Sequence, residues 1–360
     1  MVRARDESKI NWAGAGMSGK AAMIELALGR DGVTASPGTD ARRVLQLLLA
    51  ATWLLDGLLQ YQSFMYTEAF GQMIGGTATG NPGVIARPIS WNAALVEHHL
   101  VLLNTVFATI QLLLGLGIAY RPTVRLALAA SIVWSLAVWW LGEGLGGVLS
   151  GGASPVSGGP GAVILYALLA VLLWPADRPG VTAPFVAARA VGAPVARLLW
   201  LVLWCSLAYF ALTPANRAPQ ALHDIIAGMA DGEPGWVAGL EEHAAALLAH
   251  QGLAASIVLA VALIVIAAGV FLPPRLARSA LVLALVVAAF IWVFGEAFGQ
   301  ILAGGATDPN SAPLLALLAL AYWPLATAGP RARRPRADSP PAMAVGQAEG
   351  NDGLAEGKFA

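Results

Sequence analysis

The 360 residues predict an all-α polytopic membrane helix bundle, with about eight transmembrane helices in two four-helix repeats. Three observations carry that expectation. The chain is 58% hydrophobic and only 12% charged, with a mean hydropathy of +0.68, which is too apolar for a soluble domain. Apolar runs cover 44–66, 94–118, 126–150, 160–175, 198–214, 252–272, 279–303 and 312–327. Pieces of one stretch, Trp292 to Pro309, recur three more times, each just after a long apolar segment.

Taken in order, residues 1–41 mix charges with Gly and Ser, and Lys20 and Glu25 interrupt the only candidate signal-peptide core. They read as a disordered cytoplasmic tail. The first run, from Val44, is long enough to cross ~30 Å of hydrocarbon at ~1.5 Å per residue. Glu68 to Thr79 follows, EAFGQMIGGTAT, and matches Glu296 to Thr307, EAFGQILAGGAT, at eight of twelve positions. The second run closes on the basic turn Tyr120-Arg121-Pro122. The third leads into Glu143 to Ser154, EGLGGVLSGGAS, which keeps the glutamate, the Gly-Gly pair and the alanine. The fourth run is short and ends in Trp174-Pro175, so it needs thinning, burial or interfacial flanks to span.

The second half repeats this order. Ala221 to Gly235 matches Ala69 to Gly83 at seven of fifteen positions, Pro273-Pro274-Arg275 supplies the basic turn, and Trp323-Pro324 closes the last run. The expected divisions are a first membrane repeat at 42–175, a cytoplasmic linker at 176–196, a second repeat at 197–328 and a disordered tail at 329–360. On this topology every Lys and Arg except Arg87 and Arg217 falls on one side. The positive-inside rule makes that side cytoplasmic, with both termini there in a multi-pass cytoplasmic (inner) membrane protein. Halves of four helices insert the same way, related by a pseudo-twofold along the membrane normal, and all copies of the repeated stretch lie at the outer face.

Acids and all five histidines gather on that outer face. They form either a surface that concentrates cations and handles protons or a solvated leftover of the positive-inside rule. Glu143 and Glu296 each lie eighteen residues beyond an inner arginine, ~27 Å of helix. Such a carboxylate faces the bundle, pairs or takes a proton, or else caps a Gly-rich turn. Asp56 is the deepest charge, ~20 Å beyond Arg43, with Gly57 and Gln60 near it. An intramembrane carboxylate marks a functional site, and the second half is apolar near the equivalent place, around Phe210. Glu68, Glu97, His99 and His250 complete the proton or ligand candidates, His99 and His250 holding roughly equivalent positions. Glu97, His98 and His99 have metal-ligand side chains but adjacent spacing, whereas helical ligands pair three or four residues apart. Cys205 is the only cysteine and makes no intramolecular disulfide. No phosphate-loop, zinc-protease, haem-attachment or nucleotide motif is present.

Within each half a spanning helix is followed by an AFxxxI segment (AFGQMI, 69–74). An apolar helix ending LGLGIAYR (114–121) and two more helices complete it. This resembles the four-helix unit of the DoxX-like membrane proteins, in tandem. The resemblance implies a bacterial cytoplasmic-membrane protein associated with quinone- or thiol-linked redox systems, with quinone as the candidate cofactor and redox proteins as partners. It matches Glu97 to the glutamate that family often carries in its second helix. Two other readings stay open. One is a cation- or proton-coupled transporter using Asp56, Glu143 and Glu296, and the other is a membrane scaffold without chemistry. Membrane lipid surrounds the chain in all three, nothing points to nucleic acid, and Gly-lined helix faces permit an oligomer.

Overall fold

The computed structural model describes residues 40–177 and 183–325. The tails expected at 1–41 and 329–360 lie outside the described residues, apart from Asp40 and Ala41, as do residues 178–182 of the linker. Among the described residues every regular element is helical, beside one isolated β-bridge between Phe185 and Pro324.

The first half runs α1 (Ala41–Leu59), α2 (Glu68–Gly76), α3 (Gly83–His98), α4 (Leu100–Ala119), α5 (Val124–Leu141) and α6 (Ala162–Leu172). Two short helices, α7 (Ala187–Val191) and α9 (Pro214–Arg217), flank α8 (Ala193–Ala211). Then come α10 (Ala221–Met229), α11 (Gly235–Leu248), α12 (Gly252–Gly269), α13 (Pro274–Phe290) and α14 (Ser311–Ala321).

Five helices are long and apolar enough to cross a membrane: α4, α8, α12, α5 with the turn before it, and α13 with the π-turn after it. The protein is therefore membrane-embedded and helical. Only 28–39% of those spans is buried within the protein, which leaves Leu113, Leu126 and Val258 on faces suited to lipid. α6 and α14 have eleven residues each, ~16 Å of helix. Both are apolar on every side, the mark of a buried helix, and both are buried nearly all round. They therefore stand inside the bundle, and the irregular chain leading into each is partly covered by protein and partly open, with Leu149 and Leu302 half-exposed.

The two ends of the first half differ in chemistry. At one end Arg43 donates to the carbonyls of Ile118 and Ala119, which α4 leaves unpaired, and Gln46 donates to Leu173 O at 2.9 Å below α6. Arg42 pairs with Asp177, and Arg125 donates to Pro175 O at 3.1 Å. Cations on helix C-termini satisfy orphan carbonyls and oppose the negative end of the helix dipole. The other end is rich in glycine and carries the repeated stretches. Between the ends, α1 crosses α4 closely. A Cβ at Gly57 would come within 2.7 Å of Leu112, and one at Gly115 within 2.6 Å of Leu54 and 2.9 Å of the Ala50 carbonyl. Small residues at such a crossing let backbones approach.

Three expectations need correction. The run 126–150 is not one helix, because α5 stops at Leu141 and Gly144, Gly146 and Gly147 follow with φ of 58°, 59° and 74°. Likewise α13 ends at Phe290, well short of 303. The run starting at 94 breaks at His99, where α3 ends and α4 begins. Glu143 and Glu296 therefore do not ride on spanning helices.

The fourth difference concerns the repeat itself. Glu68–Gly76 is helical, yet the nearly identical Glu296–Gln300 folds into a tight turn, with Ala297, Phe298 and Gln300 at φ of 42°, 56° and 54°. Left-handed backbone costs an L-residue roughly 1–2 kcal/mol. It is held by the burial of Glu296 and by Phe298, which packs edge-on to Trp292 at 5.4 Å and near Trp236 at 5.9 Å.

Candidate functional site

The two glutamates that follow α5 and α13 do the same structural work. Glu143 accepts from the Val163 N–H at 3.2 Å, at the start of α6. Glu296 accepts from Ser311 N–H at 3.2 Å, Ser311 Oγ at 2.5 Å and Ala312 N–H at 3.1 Å, at the start of α14. A carboxylate at a helix N-terminus pairs with orphan N–H groups and complements the dipole. Each glutamate thus caps the helix after its loop, not the Gly-rich turn beside it. Tryptophans repeat the pattern: Trp139 Nε1 donates to Pro160 O at 2.6 Å and Trp292 Nε1 to Pro309 O at 3.1 Å. The difference is one oxygen. Both Glu296 oxygens are bonded, whereas Glu143 Oε2 is buried without a partner. A Cβ at Gly161 would collide with that oxygen.

Glu143 stands where two cavities join. A vestibule of about 480 Å³ lies among the glycine-rich loops, and a more enclosed chamber of about 300 Å³ continues between α1, α4 and α5. Met73, Thr77, Glu143, Thr307 and Asp308 line both. The chamber wall includes Asp56, Gln60 and Gln111 together with Trp53, Phe107 and Trp134. Gln111 is eleven residues from the first residue of α4, so the chamber reaches ~16 Å along that helix. Among the described residues no Lys, Arg or His lines either cavity.

Asp56, the deepest charge in the sequence, is 2% exposed, and its Oδ1 has no hydrogen-bond partner. Gln60 and Gln111 also each bury an oxygen without a partner, as Trp134 does its Nε1 and Tyr166 its hydroxyl. Native interiors satisfy nearly all such groups, and those left over mark a strained, catalytic or ligand-binding place. The aromatic walls are fixed by their own contacts. Trp53 donates to Ser131 Oγ at 3.0 Å and packs on Tyr166 at 4.2 Å between ring centroids, and Phe107 lies 5.6 Å from Trp134.

Asp308 comes from the other half of the chain. Its Oδ2 accepts from Thr307 Oγ1 at 2.8 Å and its Oδ1 from Asn310 N–H at 2.7 Å, a turn that aims the Thr307-Asp308 pair at the first-half chamber. Gln62 Nε2 donates to Ala306 O at 3.3 Å beside it. The first-half loop makes the reverse crossing. Asn216 donates to Ala153 O at 2.8 Å, and Val156 is packed among Leu222, Ile226 and Ala245 of the second half.

Sequence reasoning missed Gln111 and gave Asp308 no special place. The available signals were a lone amide deep in an apolar run and the polar-Pro ending shared by every copy: Asn81-Pro82, Ser154-Pro155, Glu233-Pro234 and Asp308-Pro309. The remaining candidates are elsewhere. Glu68, Glu97, His98, His99 and His250 are exposed and line neither cavity. Glu97 passes over Gly71 of α2, where a Cβ would strike it, and His250 holds a φ of 62° while its N–H donates to Gln220 Oε1 at 3.1 Å. Among the described residues no three His, Cys, Asp or Glu side chains gather closely enough to hold a metal ion.

A second set of carboxyls lies under α11. Val237, Glu241 and Ala245 form its buried stripe, with Glu241 fully buried and neither of its oxygens bonded. Burial, and then the neighbouring Glu233, pushes Glu241 up to about 7; burial also raises Glu233. No protein-family model, curated protein or solved structure matches the chain.

Proposed function

We propose that this protein is a multi-pass membrane carrier for a small cationic solute, which enters through the glycine-rich end and rests on Asp56. One observation carries the reading: the vestibule and chamber meet at a neck lined by Glu143 and Asp308, the carboxyl of Asp56 lines the chamber, and among the described residues no basic side chain lines either. Buried carboxyls without basic partners take up either protons or cations. Burial raises Glu143 to about 8 and raises Asp308 as well, so an entering cation exchanges with protons at this wall. Carriers built from repeated halves commonly bind near mid-membrane between their repeats.

The architecture that goes with this reading is eight spans in two DoxX-like four-helix units, both termini cytoplasmic and the glycine-rich end outside. Support comes from matched element order, α1 to α6 against α8 to α14, and from paired details such as the Glu143 and Glu296 caps and the Trp139 and Trp292 bonds. The inside-positive assignment follows the arginine end. The chamber holds three carboxyls, Asp56, Glu143 and Asp308, and no basic side chain among the described residues, which suits a cation better than a neutral quinone. A plain scaffold would gain nothing from leaving these polar groups unpaired.

The test is thermal unfolding of the purified protein in lipid nanodiscs against matched panels of small organic and inorganic cations and anions. A ligand at about 100 times its Kd adds about 2.7 kcal/mol of stability. Cations are expected to raise Tm and anions to leave it unchanged, with Asp56→Asn removing the cation response. Stabilisation by anions, or cation responses untouched in Asp56→Asn, would overturn the proposal.

A further inference from the structure

The chamber wall combines three carboxyls (Asp56, Glu143 and Asp308), three amides (Gln60, Asn92 and Gln111) and four aromatic rings (Trp53, Phe70, Phe107 and Trp134), and that combination is selective. Its volume of about 300 Å³ would hold roughly ten waters at their liquid volume of ~30 Å³ each. A bare ion leaves most of it empty. A divalent metal also lacks ligands, since no three carboxyl, imidazole or thiol groups converge among the described residues. An organic molecule the size of one substituted ring fits the space, and pockets for such ligands are apolar with a few placed polar groups.

Asp56, Gln60 and Gln111 all line the chamber. Asp56 Oδ1 is buried and unbonded, and Gln60 and Gln111, 2% and 8% exposed, each bury an unbonded amide oxygen. The close α1–α4 crossing explains why they meet: Gly57 against Leu112 sets the neighbouring residues Asp56 and Gln111 on the same chamber. Around them stand Trp53, Phe107 and Trp134. The faces of aromatic rings attract cations, most when water is excluded, and their bodies give apolar contact to a carbon frame.

We propose, resting on the carrier reading above, that the substrate class is a primary ammonium carrying an apolar, ring-sized body, its nitrogen hydrogen-bonded to Asp56 and its body against Phe107 and Trp134. The head supplies up to three N–H donors to the carboxyl and amides that line the chamber. A tetraalkylammonium lacks these donors, and an alkali ion leaves the aromatic wall unused.

Binding of phenethylammonium, its neutral analogue phenethyl alcohol, and potassium ion is measured by calorimetry on the full chain in nanodiscs. Phenethylammonium is expected to bind saturably, at least tenfold tighter than the alcohol and than potassium, and to weaken at least tenfold in both Asp56→Asn and Trp134→Leu. If Asp56→Asn does not fold, Trp134→Leu decides, since loss of a ring weakens phenethylammonium and spares potassium. Potassium binding as tightly as phenethylammonium, still lost in Asp56→Asn, would sink this inference and leave the carrier reading standing. Phenethyl alcohol matching phenethylammonium in wild type would sink the inference by removing the role of charge. No cation binding in the wild type would sink both.

Discussion

Glu143 and Glu296 hold matching places, and a single amide substitution should separate them. Glu296 uses both oxygens, so Glu296→Gln turns an NH2 toward a backbone N–H or toward Ser311 Oγ whichever way the amide is set. A buried hydrogen bond lost in that way costs about 1–3 kcal/mol. Glu143→Gln can keep its oxygen on Val163 N–H and place the NH2 where Oε2 now has no partner, so its cost should stay below about 1 kcal/mol. Unfolding curves of the two variants in the same lipid test this, and equal losses would show that the free Glu143 oxygen has no special standing. Asp56 was readable in the sequence because a charge in an apolar run is expensive and conspicuous. The Glu143 and Glu296 caps were not, because their partners are backbone N–H groups at helix starts that hydropathy places one or two residues away. Gln111 carries no charge, so its signal was the weaker one of an amide deep in an apolar run.

At the level of elements, α11 carries a built-in cost. Its buried stripe reads Val237, Glu241, Ala245, where the corresponding stripe of α3 reads Ile89, Ala93, Val96. Glu241 titrates near 4.5 when free and near 7 in the folded chain. Between those values the folded state holds more protons than the unfolded one, so the stability Glu241 contributes is greatest below about pH 4.5 and is lost as pH rises through about 7. Glu241→Gln should flatten the Tm profile across that window and raise Tm at pH 8, by roughly 2–4 °C for each kcal/mol relieved. An unchanged slope between pH 5 and 8 would show that Glu241 ionises freely in the folded chain. Apolar runs placed the five helices long and apolar enough to span, since lipid-facing spans must be apolar throughout, but they missed α3, most of which lies before the run that starts at 94. They did not place the ends, because glycine is nearly neutral in hydropathy yet adopts the positive φ that stops α5. Nor did near-identity of sequence predict like structure: EAFGQ is helix in α2 and a left-handed turn at Glu296, where burial of the carboxylate against α14 overrides local preference.

Across the whole molecule, each half lends a loop to the other, and the loans are unequal. The first-half loop delivers Val156 into an apolar cluster with Leu222 and Ile226, a plug, while the second-half loop delivers Thr307 and Asp308 to the neck of the chamber. One crossing seals and the other leaves an opening. The asymmetry makes a kinetic prediction that neither half alone would suggest. Thr307 lines both vestibule and chamber, so Thr307→Trp should obstruct entry, slowing phenethylammonium association at least tenfold with little change in Tm. Val156→Ala should do the reverse, removing buried methyl groups at a cost of about 1–2 kcal/mol while association keeps its wild-type rate. Stopped-flow tryptophan fluorescence reads the association rate and thermal unfolding reads the stability. Wild-type association in Thr307→Trp would mean that the solute reaches Asp56 by another route, between α1 and α5 through the lipid face, and the neck formed by Glu143 and Asp308 would then be a cap rather than a gate.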